Sequence, residues 1–305
     1  MADSSANSHS AVWHVIALLV MAMWGGSFIS TKILLNAGLL PTQIYILRFA
    51  LAYIVLFAFH HKKIWADSFL DEFRLFICGI TSGSLYFIAE NVALEHSFAS
   101  NVALIVCMNP LLTMILGGLI YRSERLGKRQ ILGSLVTFLG MILVVLNGRF
   151  ILKLSPIGDM LALLAAFSWT AYSLVARSLV GRYNSFFITR KILFYGVVSG
   201  LPIFFAFSPD VPWHVFRSPV VLGNYLFLAL IASLFCYVLW NKVMQQIGTV
   251  LASNYIYTNP LFTILIAALV LHERITVVAV LGAAFILLGM YLAERKLRVK
   301  NAVKY

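Results

Sequence analysis

The sequence predicts an all-α membrane protein of ten transmembrane helices, arranged as two inverted five-helix repeats with both termini cytoplasmic. Three observations carry that prediction. Hydrophobic residues make up 61% of the chain and charged residues 11%, where a soluble domain carries about 25% charged residues. Ten apolar runs follow one another along 305 residues, and a run of about 20 crosses a bilayer. Marks in the first five runs then recur in the second five, 145 to 150 positions on.

The runs come first. Windows of about 19 residues place spans at 12–33, 42–59, 73–94, 99–121 and 130–146, then at 157–175, 186–207, 220–243, 250–271 and 277–292. Each is apolar around its whole circumference, which excludes the alternation of barrel strands. Gly79/Gly83 and Gly196/Gly200 have the small-xxx-small spacing that lets helices approach closely. Residues 1–13 contain no Lys or Arg, so the first run reads as retained and not as a cleaved signal.

Charge sets the orientation. An even number of spans puts both termini on one side, and seventeen of the 23 Lys and Arg residues fall there. By the positive-inside rule that side is the cytoplasm. The formal charge of +12 is therefore a topology signal, and secondarily a surface for anionic lipid. It does not form the single basic face that nucleic acid requires. Cys78, Cys107 and Cys236 lie inside apolar runs without metal-ligand spacing, which predicts inert packing thiols, no disulfide and no metal.

The repeat is specific. Asn109-Pro110-Leu111-x-Thr113 matches Asn259-Pro260-Leu261-x-Thr263, and each is followed by an acidic-basic pair, Glu124-Arg125 and Glu273-Arg274. Leu132-Gly133 and Gly140-Met141 match Leu281-Gly282 and Gly289-Met290. Trp24 and Lys32 match Trp169 and Arg177. Repeats of 1–148 and 149–305 hold five spans each, so the second enters the membrane from the opposite side. The loop charges agree: Arg122, Arg125, Lys128 and Arg129 follow the fourth span, and only Arg274 follows the ninth. Inverted repeats place a solute path at their interface, near the bilayer midplane.

These marks, from Trp24-Gly25-Gly26-Ser27-Phe28 to the Gly282…Gly289 span, resemble the EamA-type transporters of the drug/metabolite transporter superfamily over essentially the whole chain. The sequence is similar to their YddG-type aromatic amino-acid exporters. The resemblance implies a central cavity surrounded by the first, third, fourth, sixth, eighth and ninth helices, with the fifth and tenth at the back. It implies a multi-pass protein of the inner (cell) membrane, exporting amino acids or similar amphipathic metabolites by alternating access, and a duplicated ten-helix chain is expected to be complete as a monomer. Glu90-Asn91 departs from the general family pattern.

Glu90 is the strongest single candidate. An ionisable group inside a span costs about 2.5–3.5 kcal/mol and is functional by default. Helical spacing puts Tyr86, Ser82 and Leu94 on its face, and it is the candidate for cation contact or proton coupling. The eighth span offers a matching face of Ser233, Tyr237, Trp240 and Asn241, with Asn241 at the repeat position of Glu90. Trp24, Ser27 and Thr31 pair with Trp169, Tyr172 and Ser173, rings able to stack on a planar solute or hold a cation. The family pattern adds Asn101 and Met108 in the fourth span, and Tyr257 in the ninth. Pro110 and Pro260 are hinge candidates, because proline removes a backbone donor and kinks a helix. Asn109 and Asn259 are expected to satisfy nearby backbone groups. Lys32, Arg48, Arg177 and Arg190 read as anchors at headgroup level.

Other classes are excluded by what is missing. His272-Glu273 has no second histidine at zinc-protease spacing, and no nucleophile turn or mid-span aspartate pair suggests an intramembrane enzyme. No Gly-rich phosphate loop points to ATP, and no cofactor is expected. Two-fold repetition favours a gated carrier over a channel ring. Within transport, the competing expectation is proton-coupled uptake or exchange of a cationic or nucleoside-like solute.

Overall fold

The computed structural model describes residues 2–96, 102, 105–121, 127–146, 155–271 and 276–301; these are almost entirely helical, with no strand among them. Among the described residues, six helices are long and apolar enough to cross a membrane: Val12–Asn36, Pro41–Phe59, Lys128–Leu146, Pro156–Arg177, Ser185–Phe207 and Pro219–Ile247. Asn109–Ile120 and Val277–Ala293 are shorter apolar helices. The expectations for Asn101, for Glu124-Arg125 and Glu273-Arg274, and for the Lys32 and Asn91 side chains lie outside the described residues.

The α-helices are α1 (Ala2–Asn36), α2 (Pro41–Phe59), α3 (Phe69–Gly79), α4 (Leu85–His96), α5 (Asn109–Ile120), α6 (Lys128–Leu146), α7 (Pro156–Arg177), α8 (Ser185–Phe207), α9 (Pro219–Leu226), α10 (Cys236–Ile247), α11 (Thr249–Asn254), α12 (Asn259–Leu271) and α13 (Val277–Asn301). Local chemistry starts them. Pro41, Pro156 and Pro219 stand in first turns, where a missing N–H costs nothing. Ser68 and Asn184 cap α3 and α8 by accepting from the Asp71 and Phe186 amides. Gly248, at φ +86°, makes the corner between α10 and α11.

Two spans are not plain α-helices. A π-helical stretch, Ile80–Ser84, joins α3 to α4, and another, Phe227–Phe235, joins α9 to α10. Nor is the ninth expected span continuous: α11 runs into a 3-10 turn, Tyr255–Thr258, before α12 starts at Asn259. A turn at Cys107 and Met108 likewise precedes α5 at Asn109. Both candidate hinge prolines thus sit at the second position of a new helix, where the ring is tolerated, and the break in the α-helix falls just before them. Asn109 does not behave as expected: its buried side-chain oxygen has no partner among the described residues. The Asn259 side chain accepts from the Thr263 hydroxyl at 3.4 Å instead of serving the backbone.

Glycines set the closest helix contacts. α6 and α13 cross antiparallel: a Cβ added to Gly140 would stand 2.6 Å from the Gly282 carbonyl oxygen, and one on Gly282 2.6 Å from the Gly140 carbonyl oxygen. Gly133 stands in the same way against Gly289 and Ala293. On α8, Gly196 lies against Gly79 and Gly83, and the Tyr45 hydroxyl donates to the Gly196 carbonyl at 2.7 Å.

One end of the bundle, where the α2–α3 and α7–α8 connections meet, is closed by charge. Asp71, fully buried at 0% exposure, accepts from Arg74 at 3.0 Å, Arg182 at 2.9 Å and the Tyr183 hydroxyl at 2.9 Å. Glu72 pairs with buried Lys191 and accepts from the Tyr195 hydroxyl and the Ala66 amide. Arg190 is not a headgroup anchor: it is buried and donates to the His60 and Lys63 carbonyls. Burial pushes the Asp71 and Glu72 carboxyls up. The donors outweigh it: Tyr183, Arg74, Ser68 and the Arg182 charge for Asp71, and Lys191, Tyr195 and Ala66 for Glu72. Both carboxyls therefore sit below the ordinary range. The opposite end is joined by neutral groups: Thr42 bonds Ser208, and the Gln43 amide donates to the Asp210 carbonyl at 2.9 Å.

Candidate functional site

Between the two ends, aromatic side chains from α1, α4, α7 and α10 meet. The Trp24 ring contacts Trp169 edge-on at 5.6 Å between centroids, Tyr237 at 5.8 Å and Trp240 at 5.4 Å. Trp169 continues to Tyr86 at 5.4 Å and to Tyr172 at 5.2 Å. Edge-to-face pairs at such spacings are attractive beyond the area they bury. Trp240, Tyr172 and Tyr237 are shut from solvent, and these aromatic residues come together as a dense cluster.

The π-helical stretches explain how the cluster is fixed. A π register leaves carbonyls without their usual helical partners, and buried carbonyls need donors. The Ser168 hydroxyl donates to Thr81 O at 2.7 Å, the Tyr237 hydroxyl to Ser82 O at 3.0 Å, and Trp24 Nε1 to Ala232 O at 3.0 Å. Each stretch is thus tied to a helix of the other half of the chain. The repeat mates differ here. Trp169 Nε1 is buried with no partner among the described residues, as is Trp240 Nε1.

The polar residues separate into two groups. Asn241 is saturated: its oxygen accepts from the Tyr172 hydroxyl at 3.2 Å, and its amide donates to Thr189 at 3.2 Å and the Tyr237 carbonyl at 2.9 Å. Glu90 is half-buried, and one carboxylate oxygen accepts from the Tyr86 hydroxyl at 3.0 Å. Ser27 turns its hydroxyl back to the Trp24 carbonyl at 2.7 Å. Met108 is half-buried at the break before α5. Tyr257 does not join the cluster; it packs against Phe138, Met141 and Ile286 at the α6–α13 layer.

Arg48 is the residue that sequence reading placed wrongly. It is 7% exposed, far from a headgroup anchor. Its Nε donates to the Ser233 hydroxyl at 2.8 Å, and its guanidinium lies 4.8 Å from the Phe87 ring centroid. The signal was present: a charge seven residues inside the 42–59 run deserves the same functional default as Glu90.

Comparison with known proteins places this architecture. The model of the EamA-like transporter family matches the chain twice, over residues 11–146 and 156–294. An Escherichia coli (strain K12) protein described as "Probable amino-acid metabolite efflux pump" is 27% identical over 300 residues, covering 95% of this chain and 97% of its own length. A "Probable terminal-alkyne amino-acid exporter" of Streptantibioticus cattleyicolor is 23% identical, with 94% of each chain covered. A crystal structure 16% identical in sequence superposes with a TM-score of 0.76 over 94% of this chain and 99% of the other, which shows the fold. The chain is a multi-pass membrane transporter, not an enzyme, and belongs to the EamA-like transporter family.

Proposed function

We propose that this protein exports amino acids or similar amphipathic metabolites across the inner membrane, as a monomer of ten spans in two inverted repeats with cytoplasmic termini. The double family match supports the duplication. The antiparallel crossing of α6 and α13, whose glycines recur in the repeat, supports the inversion. Relatives described as amino-acid efflux proteins support the substrate class and direction.

The observation that carries the mechanism is the unequal treatment of two equivalent tryptophans. Trp24 clamps the π-helical stretch of the second half, while Trp169 leaves its indole N–H unpaired. A carrier of two like halves alternates by exchanging their conformations, so in any one state the halves differ in this way. With cytoplasmic termini, the ion-paired end and aromatic cluster close the inner side, and Glu90 faces outward. Glu90 is the coupling residue in this reading, taking a proton when the solute leaves. Pro110 and Pro260 mark the hinges.

The test is flux in proteoliposomes loaded with labelled amino acids, with and without a pH gradient, for the wild type and Glu90→Gln. Amino-acid flux that follows the proton gradient and loses that dependence in the variant is expected. Transport of organic cations with no amino-acid flux would overturn the reading.

A further inference from the structure

Arg48 and Glu90 stand in an unusual relation. Each is held by its own tether, Arg48 by Ser233 on the second π-helical stretch and Glu90 by Tyr86. Their charges act on one another and on Tyr86 and Tyr237, yet among the described residues neither has an ion-pair partner within 4.0 Å. Opposite charges in a low-dielectric interior attract strongly, and a structural pair would close to contact. Here they do not meet within 4.0 Å, and each is bonded to a different neighbour. The Phe87 ring beneath the guanidinium holds its plane, and Phe87 is itself fixed by stacking on Tyr45 at 5.2 Å.

What each pole has left to offer is specific. Arg48 spends only Nε on the protein; its terminal amino groups have no hydrogen-bond partner among the described residues, although the side chain is more than nine-tenths buried. Those groups form the fork that fits a carboxylate in two parallel bonds. Glu90 gives one oxygen to Tyr86, and its second has no partner among the described residues. A guanidinium fork and a carboxylate oxygen, separated and beside an aromatic wall, are complementary to a molecule with the reverse charges on one carbon and an apolar substituent.

We propose that Arg48 and Glu90 are the two poles of a zwitterion site, Arg48 taking the α-carboxylate and Glu90 the α-ammonium of a neutral amino acid whose side chain lies against Tyr86 and Trp169. The assignment rests on the amino-acid reading above and narrows it to free, unblocked amino acids. A solute with one charge leaves the opposite pole buried and unpaired, and sites built this way reject such analogues by factors of about 10⁴. The site is therefore selective against amines and against carboxylic acids alike.

The experiment is counterflow of labelled L-phenylalanine in proteoliposomes, competed by phenethylamine, which lacks the carboxylate, and by 3-phenylpropionate, which lacks the amine. Both analogues should compete at least 100-fold more weakly than phenylalanine in the wild type. Arg48→Gln should weaken phenylalanine at least tenfold and improve phenethylamine. Glu90→Gln should improve 3-phenylpropionate instead. A misfolded variant improves nothing, and the wild-type competition decides alone if a variant does not fold. Analogues that compete like phenylalanine would overturn the two poles and leave amino-acid export standing. A wild type that moves other solutes but no amino acid would overturn both.

Discussion

Replacing Glu72 with Gln removes one charge from the ion-paired end and leaves a buried cation behind. Lys191 is 5% exposed, its ammonium pairs with Glu72, and in the variant it faces only neutral groups. Breaking a buried pair from one side costs about 3–5 kcal/mol, mostly the penalty of the stranded charge. The Trp65 ring, 4.6 Å from the Lys191 nitrogen, is in place with and without the carboxylate, so it leaves that loss of about 3–5 kcal/mol unchanged. Cys78 and Cys236 are fully buried, so a thiol-reactive dye reports unfolding as they come into contact with solvent. Glu72→Gln should melt well below the wild type, and Glu72→Gln/Lys191→Met should recover more than half of the loss, because the stranded charge is gone. Strictly additive losses in the double variant would refute the coupling.

Three further outcomes follow from the same geometry. Asp71 and Glu72 are held below the ordinary carboxylate range; their stabilisation is complete above that range and drains as pH falls through their depressed values. A melt followed by tryptophan fluorescence should therefore drop on acidification below about pH 4, and Asp71→Asn should flatten that drop; an unchanged acid limb refutes it. Gly140→Val puts a Cβ 2.6 Å from the Gly282 carbonyl oxygen, and overpacking of this kind costs about 1–3 kcal/mol; a melting point equal to the wild type would show that α6 and α13 are not in register. Trp24→Phe keeps the ring and loses the bond to Ala232, a net contribution of about 1 kcal/mol. In a Cys78→Ala/Cys107→Ala background it should speed alkylation of Cys236 about fivefold, and an unchanged rate would mean that the clamp does not hold that end closed.

The all-helical apolar character, with six helices long enough to cross a membrane among the described residues, was legible because length and apolarity determine it directly. The breaks before Asn109 and Asn259 were legible only as hinges, since proline forbids the helical bond to the preceding turn without saying what replaces it. The π-helical stretches were not legible. Ile80–Ser84 and Phe227–Phe235 share no composition that demands that register; Ser168, Tyr237 and Trp24 donate to carbonyls in those stretches from distant parts of the chain. Tyr257 was misread for a similar reason: the 3-10 turn at Tyr255–Thr258 rotates the helix face, and its ring points to the α6–α13 layer. Arg48 was missed through its proximity to the edge of a hydropathy window, which says nothing of the neighbouring helix that covers it.

Repetition and its failures divide the work of this fold. Glycines that match across the repeat, Gly133 with Gly282 and Gly140 with Gly289, meet crosswise, Gly133 against Gly289 and Gly140 against Gly282. Trp24 and Trp169 match in sequence but not in bonding, the asymmetry on which the proposed alternation rests. Glu90 and Asn241 do not match at all. Asn241 is saturated by neighbours, whereas Glu90 keeps an oxygen free. A group that must serve either conformation equally has reason to be duplicated. A group that recognises one solute has none, because a single molecule with distinct ends cannot meet two copies of the same pole. By that logic, specificity in a duplicated carrier belongs where the repeat is broken, and the Glu90 position is such a place.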